Sequence, residues 1–359
     1  MPDFSTNTNV NTSTLESLVG ATVDTILTYS PATLFFLGNQ KPWKGSQMRF
    51  PIKYAKNSQG MWFTGLEKFS TTQSTNFANM TFNPTGREIN SVISQIEVDI
   101  NETNKVIDLI GRRLASDAQD MASDIASAFY TAQTGNAFLS LIDAADDSTL
   151  TTATYGGLNR DTYGLNGNYT ASVGNLTLAT MATSYNNATH GPNSPNLLLC
   201  DKTTWSYYEK LLTPTVQHNV NPLTLTGYPQ FTGASQNGLP NIVAPGTNLK
   251  GTQGFNALYY KGKPMIADES APSGYLFMLN TKDIAFYGVK TTDPDYKTVQ
   301  FTGGGLESVY SIPVTTGFSF SGFNKPIDQY GKVGHILLVG NLINRSPRNQ
   351  SLLTGITGA

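Results

Sequence analysis

Apolar and polar positions follow long unbroken patterns up to about residue 133 and short, punctuated ones beyond it. Ser13-Thr-Leu-Glu16 reads as a capping box. Behind it Leu15, Leu18, Val19, Val23, Ile26 and Leu27 recur at helical spacing, and Ser30-Pro31 is expected to end that helix. Thr33 to Leu37 is then an apolar anchor on an extended segment. Met48, Phe50, Ile52 and Tyr54 alternate with Arg49, Pro51 and Lys53, a strand with one apolar face. Pro51 makes it an edge, or a strand missing one ladder bond. Asn57 to Gly60 is a turn, Met61-Trp62-Phe63 a second apolar patch, and Ser70 to Asn76 a polar stretch. Ile96, Val98 and Ile100 alternate with Glu97 and Asp99, and so close a long hairpin.

The chain passes directly from there into one helix, expected from Glu102 to about Gln133. Ile107, Ile110, Leu114, Ala118, Met121, Ile125 and Phe129 form one stripe along it. Asp108, Arg112, Asp117, Asp120 and Asp124 fall mainly off that stripe, with Asp117 and Asp124 expected away from the core. A helix of this size is ~45 Å long. Two strands of up to ~20 residues reach several tens of Å. A hairpin of that length cannot bury its faces on its own body. The expected resting place is another copy of the chain, which points to assembly.

The second half is read in smaller pieces. Residues 140–174 are Gly/Thr/Asn/Tyr-rich loop. Leu176 to Tyr185 is a helix and Leu197 to Cys200 a buried strand. Asp201 caps a helix from Lys202 to Leu212, which Pro214 stops. Residues 217–254 are loop-rich. Leu258-Tyr-Tyr260 and Met265-Ile-Ala267 flank a turn at Lys261 to Pro264. Tyr275 to Leu279, Ile284 to Tyr287, Ser308 to Phe320 and His335 to Leu342 carry strand patterns, and residues 343–359 are read as a polar tail.

Only 13% of the 359 residues are charged, against 39% apolar, so Asn, Thr, Ser, Gln and Gly must supply much of the surface. Such a surface suits burial against neighbours, because few charges then need desolvating. A β-rich secreted protein is the other reading of this composition. The net charge of −2 gives no global field for nucleic acid. The single cysteine, Cys200, excludes an internal disulfide framework and is expected in the core. No apolar stretch approaches the length of a membrane span, and Met1 to Ser5 shows no signal-peptide pattern.

The residue types that carry catalysis are present but scattered. His190, His218 and His335 lie far apart, without metal-ligand spacing. Gly303-Gly-Gly305 lacks the context of a phosphate loop. Asp268-Glu269 is expected to be a solvated turn pair. The expectation is no catalytic residue, no cofactor and no metal ligand.

The block Tyr155-Gly-Gly-Leu-Asn-Arg160-Asp-Thr-Tyr163 resembles a Tyr-Gly-Gly-(Ile/Leu)-x-Arg segment of tailed-bacteriophage major capsid proteins. The blocks that follow keep that family's order: Leu176 to Met181, Pro195 to Cys200, Tyr207 to Pro214, and Tyr260 to Asn280 with its Asp268 and Pro272-Ser-Gly274. The resemblance implies an α+β chain with the Hong Kong 97-type capsid fold. Residues 1–40 would be an N-terminal arm and 41–95 an extended β-hairpin loop. Residues 96–139 would be a peripheral domain with a spine helix, 140–300 an axial domain, and 301–359 a return to the peripheral domain and a C-terminal tail.

It also implies a virion protein, assembled in the host cytoplasm, whose main partner is itself in hexamers and pentamers of an icosahedral shell. Scaffold, portal and decoration proteins would be further partners, and packaged double-stranded DNA would be contacted non-specifically, with no membrane involved. Some relatives cross-link subunits between Lys and Asn. Lys53, Lys56 and Lys68 on the loop and Asn341 and Asn344 near the end are of the right types. Arg112, Arg113, Arg345 and Arg348 are the basic residues considered for DNA. The same fold also serves cellular encapsulating nanocompartments. Another virion surface protein, such as a β-rich adhesin, is a further alternative, and a soluble enzyme ranks last.

Overall fold

A computed structural model describes residues 30–103, 109–212, 257–289, 301–302, 311–312, 318–321, 323–327 and 329–359. The expected helix at 15–27, Ile107 and Asp108, the 217–254 loop, His218 and Gly303 to Gly305 lie outside the described residues.

Two sheets carry the structure. In the first, the strand Gly331–Asn344 is the shared member. Its first ten residues pair antiparallel with Thr85–Ser94, from Gly331↔Ser94 to Gly340↔Thr85. Its last five pair with Ile284–Gly288, and Phe318–Phe320 and Lys41–Pro42 complete the sheet. The second sheet has the order Ala257–Tyr260, Lys263–Ala267, Leu197–Cys200, Leu276–Leu279, Ser351–Leu353, Asn168–Thr170.

The central strands of the second sheet read as continuous apolar runs because both faces are covered. Leu197 and Leu199, with Phe277 and Leu279, join one core. Leu198 and Cys200, with Leu276 and Met278, join the other. The first core also receives the long helix Leu109–Tyr130 through Met121, Ile125 and Phe129. Phe129 stacks edge-on against Phe138 at 5.2 Å and Phe286 at 6.2 Å. Along the described part of the stripe, apolar spacing and burial coincide. Asp124 lies outside it, paired with Arg87. Asp117, expected outside as well, is buried.

Ile125→Asp is therefore expected to give insoluble or strongly destabilised protein, since an unpaired buried carboxylate costs several kcal/mol. Asp124→Ala breaks only a half-exposed ion pair, worth at most ~1 kcal/mol. Soluble yield and melting temperature of the two variants check this, and equal tolerance would contradict the packing.

Several expected elements differ. Thr33 to Leu37 is not extended but lies in the helix Pro31–Gly38. Ser30-Pro31 starts a helix: Pro31 occupies the first turn, where its missing N–H costs nothing, and the Ser30 hydroxyl accepts from Thr33 N–H at 3.2 Å. Residues 96–100 do not close a hairpin. They belong to the helix Gln95–Thr103, where Ile96 and Ile100 share a face four residues apart. The long helix is described over Leu109–Tyr130 and ends three residues before the expected Gln133; residues 104–108 ahead of it lie outside the described residues.

The supposed loop at 140–174 contains the helix Leu141–Ala145, the turn of helix Arg160–Tyr163 and four short strands. Residues 343–359 are no tail. Ser351–Leu353 is an internal strand between Leu276–Leu279 and Asn168–Thr170. Asn344, Gln350 and Ser351 are fully buried, and Gln350 Oε1 accepts from Asn280 N–H at 2.6 Å.

Candidate functional site

The feature that projects from the two sheets is a hairpin, Met48–Lys53 paired with Phe77–Phe82, with residues 54–76 between them. Its base is part of the body, against the expectation that it packs on nothing of its own. Met80 and Phe82 are buried with Tyr155, Leu165, Ala285, Tyr287 and Ile343. Phe50 meets Tyr287 at 5.9 Å between ring centroids, and Tyr54 meets Tyr163 at 4.8 Å.

The mount for this base is built from the Tyr155–Arg160 block. Thr81 N–H donates to the Gly156 carbonyl at 2.8 Å. Gly156 has φ +58°, and a Cβ there would stand 2.9 Å from Met80 Cβ, so only glycine lets the turn and the strand approach. Tyr155 packs on Phe82 at 5.4 Å, and its hydroxyl accepts from Asn344 N–H at 2.9 Å.

Arg160 holds the turn from below and is 1% exposed. Its guanidinium donates to the carbonyls of Thr152 (3.0 Å), Asp146 (2.9 Å) and Asp143 (2.7 Å), and lies 4.9 Å from the Tyr155 ring centre. Five donors in a rigid fork make arginine suited to this task. Asp146 anchors the adjoining loop. Burial alone would raise its carboxyl, but the Thr151 hydroxyl, the N–H groups of Leu150 and Thr151, and the charge of Arg160 outweigh this and lower it. A lowered folded value stabilises the fold above the ordinary carboxylate range, and that contribution is lost as pH falls through it.

Beyond the mount, every residue from 61 to 70 is exposed. Trp62 is 100% and Leu66 107% exposed, and Met61, Phe63 and Phe69 are exposed too. Phe63 and Phe69 meet edge-on at 5.1 Å. Met61 to Phe63 stood out in the sequence. Leu66 and Phe69 did not, although 63, 66 and 69 form a spacing of three that nothing nearby complements. Solvated clusters of this kind mark interaction sites in soluble proteins.

Among the described residues no group of three His, Cys, Asp or Glu is placed to hold a metal ion. His190 is exposed, and His335 meets Glu88 at 2.7 Å. Cys200 is buried, and burial pushes its thiol well up, away from a reactive thiolate. Glu269 pairs with Lys202, whereas Asp268, expected to be solvated, is fully buried.

Lys53, Lys56 and Lys68 are exposed. Asn341 and Asn344, the asparagines considered for cross-linking, are internal struts. Asn341 accepts from Leu139 N–H and donates to the Asn83 carbonyl, each at 2.9 Å, and Asn344 donates to the Ala144 carbonyl at 2.9 Å. Neither side chain is available to a loop lysine. Arg345 donates to the Lys282 carbonyl at 2.8 Å and lies 3.7 Å from Asp283, and Arg348 is exposed.

Comparison with solved structures gives this arrangement a context. The capsid asymmetric unit of cyanophage A-1(L) superposes with a TM-score of 0.70 at 15% identity, over 98% of this chain and 99% of that one. The capsid of Myoviridae phage XM1 gives 0.54 at 12% identity, over 95% and 96%. An encapsulin complex from Synechococcus elongatus gives 0.56 at 10% identity, over 97% and 94%. No protein-family model and no curated protein matches the chain. The fold is that of tailed-phage capsid proteins, shared nearly end to end.

Proposed function

We propose that this chain is a structural shell subunit and not an enzyme, and that it self-associates into the closed capsid of a tailed phage around double-stranded DNA. The observation that carries the reading is the exposed apolar loop at 61–69, raised on a built mount, in a chain whose fold is that of solved capsid proteins. Burying one large apolar side chain stabilises a contact by ~1.5–3 kcal/mol. Five such side chains per copy, left in water, form a surface that no other described part of the chain covers and that association would bury.

On this reading residues 1–40 are an arm, 41–95 the extended loop, the long helix a spine, and the second sheet the core of an axial domain. Hexamers and pentamers are the units of the shell. Scaffold, portal and decoration proteins, and non-specific DNA contact, follow from the same proposal.

A second reading is supported by the encapsulin likeness: a cellular compartment enclosing protein cargo. Light scattering and negative-stain microscopy of the purified full chain test both. Closed particles are expected. Nuclease-protected DNA inside particles made with the packaging partners supports the phage reading, while a co-purifying enclosed protein supports the compartment. Monomer alone, across salt and concentration, would sink the proposal.

A further inference from the structure

A carboxylate is buried where three distant stretches of chain meet. Asp268 directly follows the strand Lys263–Ala267 and is 0% exposed. Its Oδ2 accepts from the Ser30 hydroxyl at 2.8 Å, from Ala32 N–H at 3.1 Å and from the Tyr130 hydroxyl at 2.8 Å. Its Oδ1 accepts from Ser270 N–H at 2.9 Å. Ser30 Oγ in turn accepts from Thr33 N–H at 3.2 Å and from the Thr33 hydroxyl at 3.0 Å. All four groups that donate to Asp268 are neutral. The first turn of the helix Pro31–Gly38 thus sits on a carboxylate more than 230 residues away in sequence, and the last turn of the long helix donates to the same oxygen.

We propose that Asp268 is a latch: it fixes the first turn of the helix Pro31–Gly38 on the body, and it can release without unfolding either sheet. The inference does not depend on the shell reading. The two ends of this helix are held by different forces. Its later turns are apolar, with Phe36 and Leu37 buried and Phe36 stacked on Phe129 at 5.6 Å. At its start, the polar groups of Ser30, Ala32 and Thr33 all lead to one carboxylate, directly or through Ser30.

An acceptor shared by donors from three segments makes their order cooperative. Losing one donor loosens the start while the apolar end stays docked. Local opening of this kind is independent of global unfolding and is read by amide exchange. Burial pushes the Asp268 carboxyl up, and it pushes the Tyr130 hydroxyl well up, further raised by the charge of Asp268. Both shifts agree with a carboxylate closed off from water.

The test is hydrogen exchange on the full chain with Ser30→Ala, Tyr130→Phe and Asp268→Asn. Ser30→Ala is expected to speed exchange at the Ala32 and Thr33 amides about five- to tenfold, the size of losing one N-cap. Protease cleavage ahead of Leu34 should accelerate with it, while amides of Leu276–Leu279 keep their protection. Asp268→Asn should have the larger local effect, because the amide turns a donor toward donors. If it fails to fold, Ser30→Ala and Tyr130→Phe carry the test. Unchanged exchange at residues 32–33 would overturn the latch. So would a rise shared equally by all buried amides, which would make Asp268 an ordinary core residue.

Discussion

A chain with Trp62, Phe63 and Leu66 all changed to serine is expected to melt like the parent and to stop associating. Trp62 and Leu66 are fully exposed and Phe63 is mostly so, so their removal takes almost nothing from the body. Surface changes of this kind stay within about ±0.5 kcal/mol each. In a copy-to-copy contact the same three side chains would contribute ~1.5–3 kcal/mol apiece. Every ~1.4 kcal/mol is a factor of ten in affinity. The association constant should fall by about a thousandfold or more, and closed particles should vanish from light scattering and microscopy. Removing residues 57–74 should do the same. Removing 48–86 should unfold the chain, because it takes away Met80 and Phe82, which are buried under the mount. Normal particles from the triple variant would end the case for this loop as the association surface. A loss of melting temperature in step with the loss of particles would place the loop in the body's own core.

What the sequence revealed and concealed follows from how each element is stabilised. The long helix and the strands Leu197–Cys200 and Leu276–Leu279 are held by apolar burial, which leaves a periodic trace in a single sequence. Residues 96–100 left an ambiguous one, since Ile96 and Ile100 stand on one face of a strand and on one face of a helix alike. Pro31 opens the helix Pro31–Gly38, a place Pro suits as well as it suits the position after a helix, so the dipeptide alone does not reveal the start. The segment 343–359 was illegible for another reason. Asn344, Gln350 and Ser351 are buried as hydrogen-bonded polar groups, each with a partner at least five residues away, and single-sequence patterns do not report such pairs. Asp268 and Arg160 belong to the same class. A buried charged residue looks like any surface charge until the groups around it are known. The Tyr155–Arg160 block was visible only as a family-like string, and the structure supplies its role.

Arg160→Ala is expected to destabilise the chain by several kcal/mol. It removes a donor from the carbonyls of Asp143, Asp146 and Thr152; Asp146 keeps Gly167 N–H at 2.9 Å and Thr152 is exposed, so the buried Asp143 carbonyl bears the main loss. A buried polar group left unpaired costs about 1–3 kcal/mol. The cavity beneath the Tyr155 ring adds to this. Together the two effects amount to ~2–5 kcal/mol, a large part of the ~5–15 kcal/mol by which such folds are stable. Arg160→Lys should recover little. Lysine carries a similar charge, but its three donors radiate from one nitrogen and cannot reach carbonyls arranged around a planar fork. Loosening should begin at the mount, so the Thr81 amide, bonded to the Gly156 carbonyl, should lose exchange protection before the amides of Leu197–Cys200. Soluble yield, melting temperature and exchange at Thr81 measure these effects, with Arg87→Ala as the control for loss of a surface arginine. An Arg160→Ala protein that melts within a few degrees of the parent would show that the guanidinium does not hold the turn. Gly156 and Tyr155 alone would then have to explain how the hairpin is kept in place.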